Sequence, residues 1–152
     1  MFKQIQKFIA LNLLIFLITG CAGHKMLKSP SLYDRLGGKM AIDAVVEDFV
    51  GRLATDSRIK NEKVKARLAS ISVPNLKMHL ANLICVGAGG PCKYTGRDMK
   101  SSHAELAITS AEFGFVVDDL LATLNKFNVP EKEKGEILGL LGPMKKDIVE
   151  VH

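Results

Sequence analysis

Apolar residues recur at three- and four-residue intervals in four segments of the chain, and this period predicts amphipathic α-helices. The segments run from residue 39 to about 53, from 74 to about 86, from 109 to 124 and from 130 to 148. Thr109 and Glu112 have the spacing of a capping box, which opens the third helix. Pro130 suits the first turn of the fourth, where no backbone N–H is needed.

Glycine-rich connections separate these helices. Gly37-Gly38 predicts a sharp turn after a short piece from Leu32 to Leu36, and Gly87 to Pro91 must end the second helix. Gly142-Pro143 predicts a kink in the last helix. Residues 61–72 are charged and only weakly apolar, so they fit either a helix or a loop. Without a trustworthy alternating strand pattern, the sequence predicts one all-α domain over residues 32–152.

The first residues are typical of a targeting segment rather than of a folded domain. Lys3 and Lys7 precede an apolar run from Phe8 to Ile18, which is too short for a membrane-spanning helix of roughly 20 residues. The run ends in Thr19-Gly20-Cys21, which is similar to a bacterial lipobox. We therefore expect a signal peptide over residues 1–20 and a membrane anchor on lipidated Cys21. A plain secretory signal with an incidental cysteine is the alternative.

Residues 21–31 mix Gly, Lys, Ser and Pro, which predicts a flexible tether between the lipid and the domain. Ala22 follows the cysteine, and by the sorting usage of bacterial lipoproteins this favours the outer membrane, facing the periplasm. The net charge of +5 includes two lysines of the signal segment. Because the remaining positive residues are scattered and not interleaved with aromatic ones, nucleic-acid binding has little support.

The four histidines of the chain differ in setting. His24 lies in the tether and His152 at the C-terminal residue, whereas His79 and His103 lie in predicted helices, with Met99 one turn before His103. A buried imidazole is stable when one nitrogen binds a metal and the other a hydrogen-bond partner. Residue type alone leaves open whether either helical histidine is a metal ligand or a satisfied structural residue.

The order of motifs resembles that of a group I truncated haemoglobin, a globin shortened to a two-over-two helical sandwich around haem. The resemblance covers residues 32 to about 149, and neither glycine motif would be specific alone. Its main stretches are Leu32-Tyr33-Asp34-Arg35-Leu36-Gly37-Gly38, Val46-Glu47-Asp48-Phe49, Gly89-Gly90-Pro91 with Tyr94-Thr95-Gly96, and Met99-Lys100-Ser101-Ser102-His103.

This resemblance implies that His103 is the proximal ligand of haem b. The haem would be held non-covalently, because the chain has no Cys-x-x-Cys-His motif. The same resemblance implies further haem contacts, although plain core residues would give an identical pattern. The implied contacts are Met99, Phe49, Leu76, Leu80, Phe113 and Val116.

On the distal side the chain departs from the family pattern. Val50 stands where the family usually has a tyrosine, Leu80 where it commonly has a glutamine, and Leu68 near the place of a phenylalanine. Two hydrogen-bond donors are therefore missing. The resemblance makes His79 a candidate second axial ligand of the iron, and a side chain turned to solvent is the alternative.

Cys85 and Cys92 flank the glycine-rich reversal, so the two thiols can approach each other if the chain turns back. An exported compartment favours a disulfide between them. Two partly buried free thiols are the alternative.

The function implied by the resemblance is binding of a diatomic gas (O2, NO or CO) at haem in the cell envelope, with any redox partner unidentified. One alternative is a haem enzyme, either a nitric oxide dioxygenase or a peroxidase-like protein, although the apolar distal residues make sustained oxygen chemistry a weaker expectation. Another alternative is a haem-free helical module for interaction or sensing.

Overall fold

The computed structural model describes residues 29–151, and this part of the chain is helical, which confirms the all-α prediction. The predicted signal peptide, Cys21, His24, His152 and most of the tether lie outside the described residues. The helices are α1 (Leu32–Arg35), α2 (Gly38–Thr55), α3 (Glu62–Ser70), α4 (Val73–Gly87), α5 (Met99–His103), α6 (Ser110–Lys126), α7 (Glu131–Leu141) and α8 (Lys145–Ile148).

Extended pairing within residues 29–151 is limited to one isolated bridge, between Thr109 and Val151. In the same part of the chain, no helix combines the length and the apolar character that crossing a membrane requires.

Side-chain caps fix where several helices begin. The Thr109 hydroxyl accepts a hydrogen bond from Glu112 N at 3.1 Å, and the Glu112 carboxylate accepts one from Thr109 N at 2.9 Å. The predicted capping box of α6 is thereby confirmed. The Ser72 hydroxyl caps α4, whose first turn contains Pro74, and Asn61 caps α3. Residues 62–70 are therefore helix rather than loop.

Two segments that contain glycine interrupt the helices, one at Gly37-Gly38 and one at Gly142-Pro143. Gly37 and Gly38 have φ values of +92° and +76°, a left-handed backbone that glycine adopts without steric cost, and they form the predicted sharp turn. The predicted kink near Pro143 is instead a break. α7 ends at Leu141, and residues 142–144 form a 3₁₀ turn before α8, because proline has no N–H for an α-helical bond.

The helices pack as a two-over-two sandwich, as the resemblance implies. α2 packs on both α4 and α6, and α7 packs on α6 and α1. One core cluster lies mainly between α2, α6 and α7, with Leu32, Phe49, Ala88, Leu120, Leu124 and Ile137 buried. The second lies between α2 and α4, with Ile42, Val46, Val50, Ala81 and Cys85 buried.

Hydrogen bonds to the Asp48 carboxylate join α2 to α6 beside this core. The Asp48 carboxylate accepts hydrogen bonds from Arg52 Nε at 2.8 Å, from the fully buried Thr123 hydroxyl at 3.1 Å and from the Lys126 ammonium. The hydrogen bonds from Lys126 and Arg52, which favour the charged form, lower the pKa of Asp48 from 3.8 to about 2.

Candidate functional site

A large cavity lies between α2, α3, α4, α5, α6 and α7, and it has a volume of about 750 Å³. This volume falls in the range of about 300–1,000 Å³ that is typical of ligand pockets. The walls are mainly apolar, so the cavity suits a ligand with a broad apolar body. Apolar lining residues include Leu53, Ile59, Val64, Leu83, Ile84, Val117, Leu120, Ile137, Leu140 and Leu141.

His103 lines this cavity as the last residue of α5. Asp98 is the N-cap of this helix, and its side chain accepts a hydrogen bond from Ser101 N at 2.8 Å. The His103 ring is half-buried, and its Nδ1 lies 2.8 Å from the carbonyl oxygen of Met99. When Nδ1 carries the proton and donates to that carbonyl, Nε2 presents a lone pair. This arrangement suits an imidazole that binds a metal through Nε2.

His79 on α4 lines the same cavity, so the tertiary structure brings the two helical histidines to one site. Its Nδ1 is buried, and no residue of the described part of the chain gives that atom a hydrogen bond. The His79 ring meets the ring of Tyr94 edge-on, with 6.1 Å between the ring centroids. Since buried polar atoms are rarely left unpaired, this nitrogen is open to a further partner.

The other six residues that the resemblance assigned to haem contact also line the cavity. They come from four helices, with Phe49 on α2, Leu76 and Leu80 on α4, Met99 on α5, and Phe113 and Val116 on α6. Phe49 and Leu80 pack at the same time on the buried core. The sequence-predicted positions are therefore neighbours in space.

On the distal side, the structure separates Val50 from Leu80 and Leu68. Leu80 and Leu68 line the cavity, whereas Val50 is only 6% exposed and packs in the cluster between α2 and α4. The buried Val50 therefore presents no hydrogen-bond donor to the cavity, in keeping with the predicted loss of the tyrosine hydroxyl at this position. A valine side chain is short, and here apolar neighbours in the core enclose it.

Several polar residues of the cavity wall were not found by sequence reasoning. Asn75 lies one turn before His79 on α4, so the spacing of four residues could have indicated it. Arg67 lines the wall from α3, and its guanidinium donates to the carbonyl of Ser102 at 3.2 Å. No local pattern indicated Arg67, because its place depends on how α3 packs.

Tyr94 and Arg97 line the cavity from the connection between α4 and α5. Burial, together with the nearby Asp98 carboxylate, raises the pKa of Tyr94 above its ordinary value. The Tyr94 hydroxyl therefore stays protonated at neutral pH and donates to the carbonyl of Arg97 at 2.7 Å. This bond holds the connection beside His79.

The structure joins Cys85 and Cys92 in a disulfide, with 5.9 Å between the two Cα atoms. Cys85 is fully buried at the inner face of α4, and Cys92 lies in the connection that carries Tyr94. The bridge therefore ties the end of α4 to that connection.

The donor set of the cavity fits haem better than a metal ion held by protein ligands alone. Residues 29–151 contain no group of three or more His, Cys, Asp or Glu side chains arranged to hold a metal ion. The cavity instead combines a broad apolar surface with His103 and with the unpartnered ring nitrogen of His79. A haem iron needs at most two axial protein ligands, and its macrocycle needs apolar surroundings.

Comparisons with known proteins identify the family of the chain. Residues 31–150 match the family model for bacterial-like globins. A group 1 truncated haemoglobin from Mycolicibacterium paratuberculosis is 34% identical over 127 residues, which cover 84% of this chain and 90% of that protein. One from Synechocystis is 34% identical over 116 residues, covering 74% of this chain and 90% of its own length.

Solved structures show the same fold. The truncated haemoglobin of Tetrahymena pyriformis in its Fe(III) form superposes with a TM-score of 0.71 at 22% identity, covering 79% of this chain and 98% of that one. The 2/2 haemoglobin of Synechococcus, in the cyanomet state with covalently attached haem, gives a TM-score of 0.70 at 26% identity with the same coverage. This chain therefore belongs to the bacterial-like globin family, as a group 1 truncated haemoglobin whose cofactor is non-covalently bound haem b.

Proposed function

We propose that the protein binds a diatomic gas (O2, NO or CO) at a haem whose iron His103 holds, and that Cys21 anchors it in the cell envelope. The observation that carries this proposal is the His103 imidazole, which lines the large apolar cavity with its Nδ1 engaged by the Met99 carbonyl at 2.8 Å. When bound, the haem supplies an iron atom with a coordination position for the gas.

The residues of the chain hold, orient and shield that group. The Met99 carbonyl can only accept a hydrogen bond, so it favours the His103 tautomer that carries the proton on Nδ1 and leaves the lone pair of Nε2 free for the iron. Leu76, Leu80 and Phe113 supply apolar surface that keeps water out. Val50 and Leu80 stand where the family usually has a hydrogen-bond donor for bound oxygen, and this favours a gas-binding protein over a nitric oxide dioxygenase or a peroxidase.

Two measurements test whether His103 is the haem ligand. The imidazole side chain is removed by substitution, and free imidazole is then added to the variant. We expect His103→Gly to weaken hemin binding by about 100-fold or more, because it removes the ligand itself, and loss of a residue that merely orients a metal ligand already costs about 10–100-fold. Added imidazole should restore the wild-type absorbance spectrum, because it can occupy the space of the missing side chain. Lys100→Ala, on the exposed side of the same helix, is the matched control and should leave the titration unchanged. An unchanged spectrum in His103→Gly without imidazole would contradict the assignment.

We further propose that His79 is a second axial ligand in the resting state, in equilibrium with an open form. Its buried Nδ1 has no hydrogen-bond partner among residues 29–151, and its ring lines the cavity that His103 lines. The absorbance spectra of the ferric and ferrous protein test this. We expect low-spin, six-coordinate bands that disappear in His79→Leu, and a purely high-spin, five-coordinate pattern in the wild type would overturn the proposal.

Anchoring is supported by sequence alone, through the lipobox-like Thr19-Gly20-Cys21 and the tether that follows it. Metabolic labelling with a radioactive fatty acid, followed by fractionation of the membranes, tests it. The wild type should carry the label and sediment with the outer membrane, and Cys21→Ser should lose both properties. An equally labelled Cys21→Ser protein would exclude this cysteine as the lipid site.

A further inference from the structure

The segment that follows His103, residues 104–108, has an unusual backbone. Glu105 and Ala107 have φ values of +67° and +53°, and both are non-glycine residues in the left-handed region. In the described part of the chain, Asn128 is the only other such residue. A left-handed backbone brings the Cβ of an ordinary residue too close to its carbonyl oxygen, so surrounding interactions must hold it there.

The C-terminal end of the described chain supplies those interactions. One oxygen of the Glu150 carboxylate accepts a hydrogen bond from Glu105 N at 2.8 Å, and the other accepts one from Ala107 N at 2.5 Å. The backbone N–H groups of Glu150 and Val151 donate to the carbonyl of Ile108 at 2.9 and 3.1 Å. A single carboxylate thus engages the amide groups of both left-handed residues.

Other side chains that hydrogen-bond to residues 102–107 donate to backbone carbonyl groups and not to the N–H groups of Glu105 and Ala107. The Asn61 side chain donates to the carbonyl of Leu106 at 2.8 Å, and Arg67 donates to that of Ser102 at 3.2 Å. Within residues 29–151, Glu150 is therefore the side chain that holds the N–H groups of Glu105 and Ala107.

We propose that Glu150 is a positioning residue for His103: its carboxylate holds the left-handed backbone of residues 104–108 and thereby fixes where the last residue of α5 presents its imidazole in the cavity. The inference rests on the proposed function of His103 as the haem ligand. It extends that function, because the position of the His103 ring then depends on a carboxylate that lies 47 residues further along the chain.

The shortness of α5 explains why such a support is needed. The helix has five residues, and a helix of that length is unstable without tertiary contacts. His103 is its last residue, and Leu106 N donates back to the His103 carbonyl at 3.2 Å, so the path of the following turn is coupled to the position of the ring. Without the carboxylate, Glu105 and Ala107 would relax toward ordinary backbone angles and displace the end of α5.

The experiment compares Glu150→Ala with Asp147→Ala in the full chain, both in a His79→Leu background so that one histidine alone can bind the iron. Asp147 is exposed on α8, and no hydrogen bond or ion pair to it occurs within residues 29–151, so it matches the change in charge. The measurements are the rate of haem transfer to excess apomyoglobin and the iron–histidine stretching band in the resonance Raman spectrum of the ferrous protein.

We expect Glu150→Ala to raise the rate of haem loss about tenfold, the lower end of the effect of removing a partner that orients a metal ligand, and to shift the iron–histidine band. Glu150→Gln keeps one acceptor oxygen and should give an intermediate rate. Asp147→Ala should leave the rate within about twofold and the band in place. The proposal is overturned if Glu150→Ala behaves as Asp147→Ala does in both measurements.

A glycine rescue separates positioning from a general loss of stability. Glycine adopts a positive φ without the steric cost, so adding Glu105→Gly and Ala107→Gly to Glu150→Ala should recover much of the lost haem retention and move the band back. No recovery of the band would contradict a role through this backbone. The proposed function fails separately if His103→Ala keeps the iron–histidine band of the parent protein, whatever Glu150→Ala does.

Discussion

At position 90 the backbone passes so close to two side chains that only a hydrogen atom fits on the α-carbon. A β-carbon built on Gly90 would lie 2.7 Å from Cys85 Sγ and 2.7 Å from Cγ of Tyr33, well inside contact distance. Neither neighbour is the free end of a flexible chain, because Cys85 is fully buried and bridged and the Tyr33 ring packs on both core clusters. The glycine is therefore a packing requirement of the end of α4.

Gly90→Ala should accordingly destabilise the protein by about 1–3 kcal/mol, the usual cost of forcing an extra methyl group into a packed site. Gly114→Ala is the matched control, because a β-carbon there meets nothing within 4 Å in the interior of α6. Replacing that helical glycine should be neutral or stabilising by about 0.5–1 kcal/mol. Urea unfolding of the two variants measures the difference, and equal midpoints would contradict the packing argument.

At the scale of single elements, α6 depends on how it begins, because it carries Phe113 and Val116 into the cavity wall. Its N-terminus is closed by the reciprocal bonds of Thr109 and Glu112. The hydrogen bonds from the Thr109 backbone and hydroxyl outweigh the effect of burial, and the pKa of Glu112 is lower than its ordinary value. The cap is thus satisfied by a charged carboxylate at neutral pH.

Removing this cap should cost about 1 kcal/mol, so Thr109→Ala should lower the midpoint of thermal unfolding by several degrees. Ser110→Ala, one residue further on, is the control. The Ser110 side chain is exposed and makes no hydrogen bond within the described part of the chain, so its loss should change the midpoint little. If the two variants melt together, the cap contributes nothing to the stability of α6.

The stability that the contact between α2 and α6 contributes should depend on pH, through the Asp48 carboxylate. Its folded-state pKa of about 2 lies below the ordinary value of 3.8, so its contribution to stability is complete above about pH 4. That contribution disappears as the pH falls through about 2. Asp48→Asn should therefore be less stable than the wild type at pH 6, and the difference should shrink between pH 4 and pH 2.

Chemical unfolding from pH 2 to pH 6 measures this difference. Asp43→Asn is the control, because Asp43 pairs with Lys39 on the exposed side of the same helix, where an ion pair contributes little. A constant difference between the wild type and Asp48→Asn over the whole range would show that the Asp48 carboxylate does not control the acid response.

At the scale of the whole molecule, the Cys85–Cys92 disulfide closes a short loop between α4 and the connection to α5. Loop-closure entropy for seven residues of separation gives roughly 2–3 kcal/mol of stabilisation, mainly by restricting the unfolded chain. The wild type should unfold at lower temperature after reduction, and the Cys85→Ser, Cys92→Ser double variant should not respond to reductant. A reduced wild-type protein that melts at the oxidised temperature would contradict a stabilising bridge.

The elements could be predicted from the sequence because their determinants are local, whereas the family was indicated by the resemblance in the order of motifs along the chain. Helical period, Pro130, the Thr109 capping box and the glycine pairs act within a few residues, and the predicted helices correspond closely to those observed. The same local spacing selected His79 and His103 from the four histidines. It could not separate a break from a kink at Pro143, because the path beyond the proline depends on what the next turn packs against.

The sequence by itself determined an all-α domain with two histidines in helices, because helical spacing places the same residues on one face whatever that face packs against. The order of its motifs added the resemblance to a truncated haemoglobin. Only the tertiary structure decided what each face meets. Val50 packs in the core while its neighbour Phe49 reaches the cavity, and the Glu150 carboxylate meets amide groups more than 40 residues away. Such contacts depend on how helices close on one another, and periodicity along the chain carries no information about that closure.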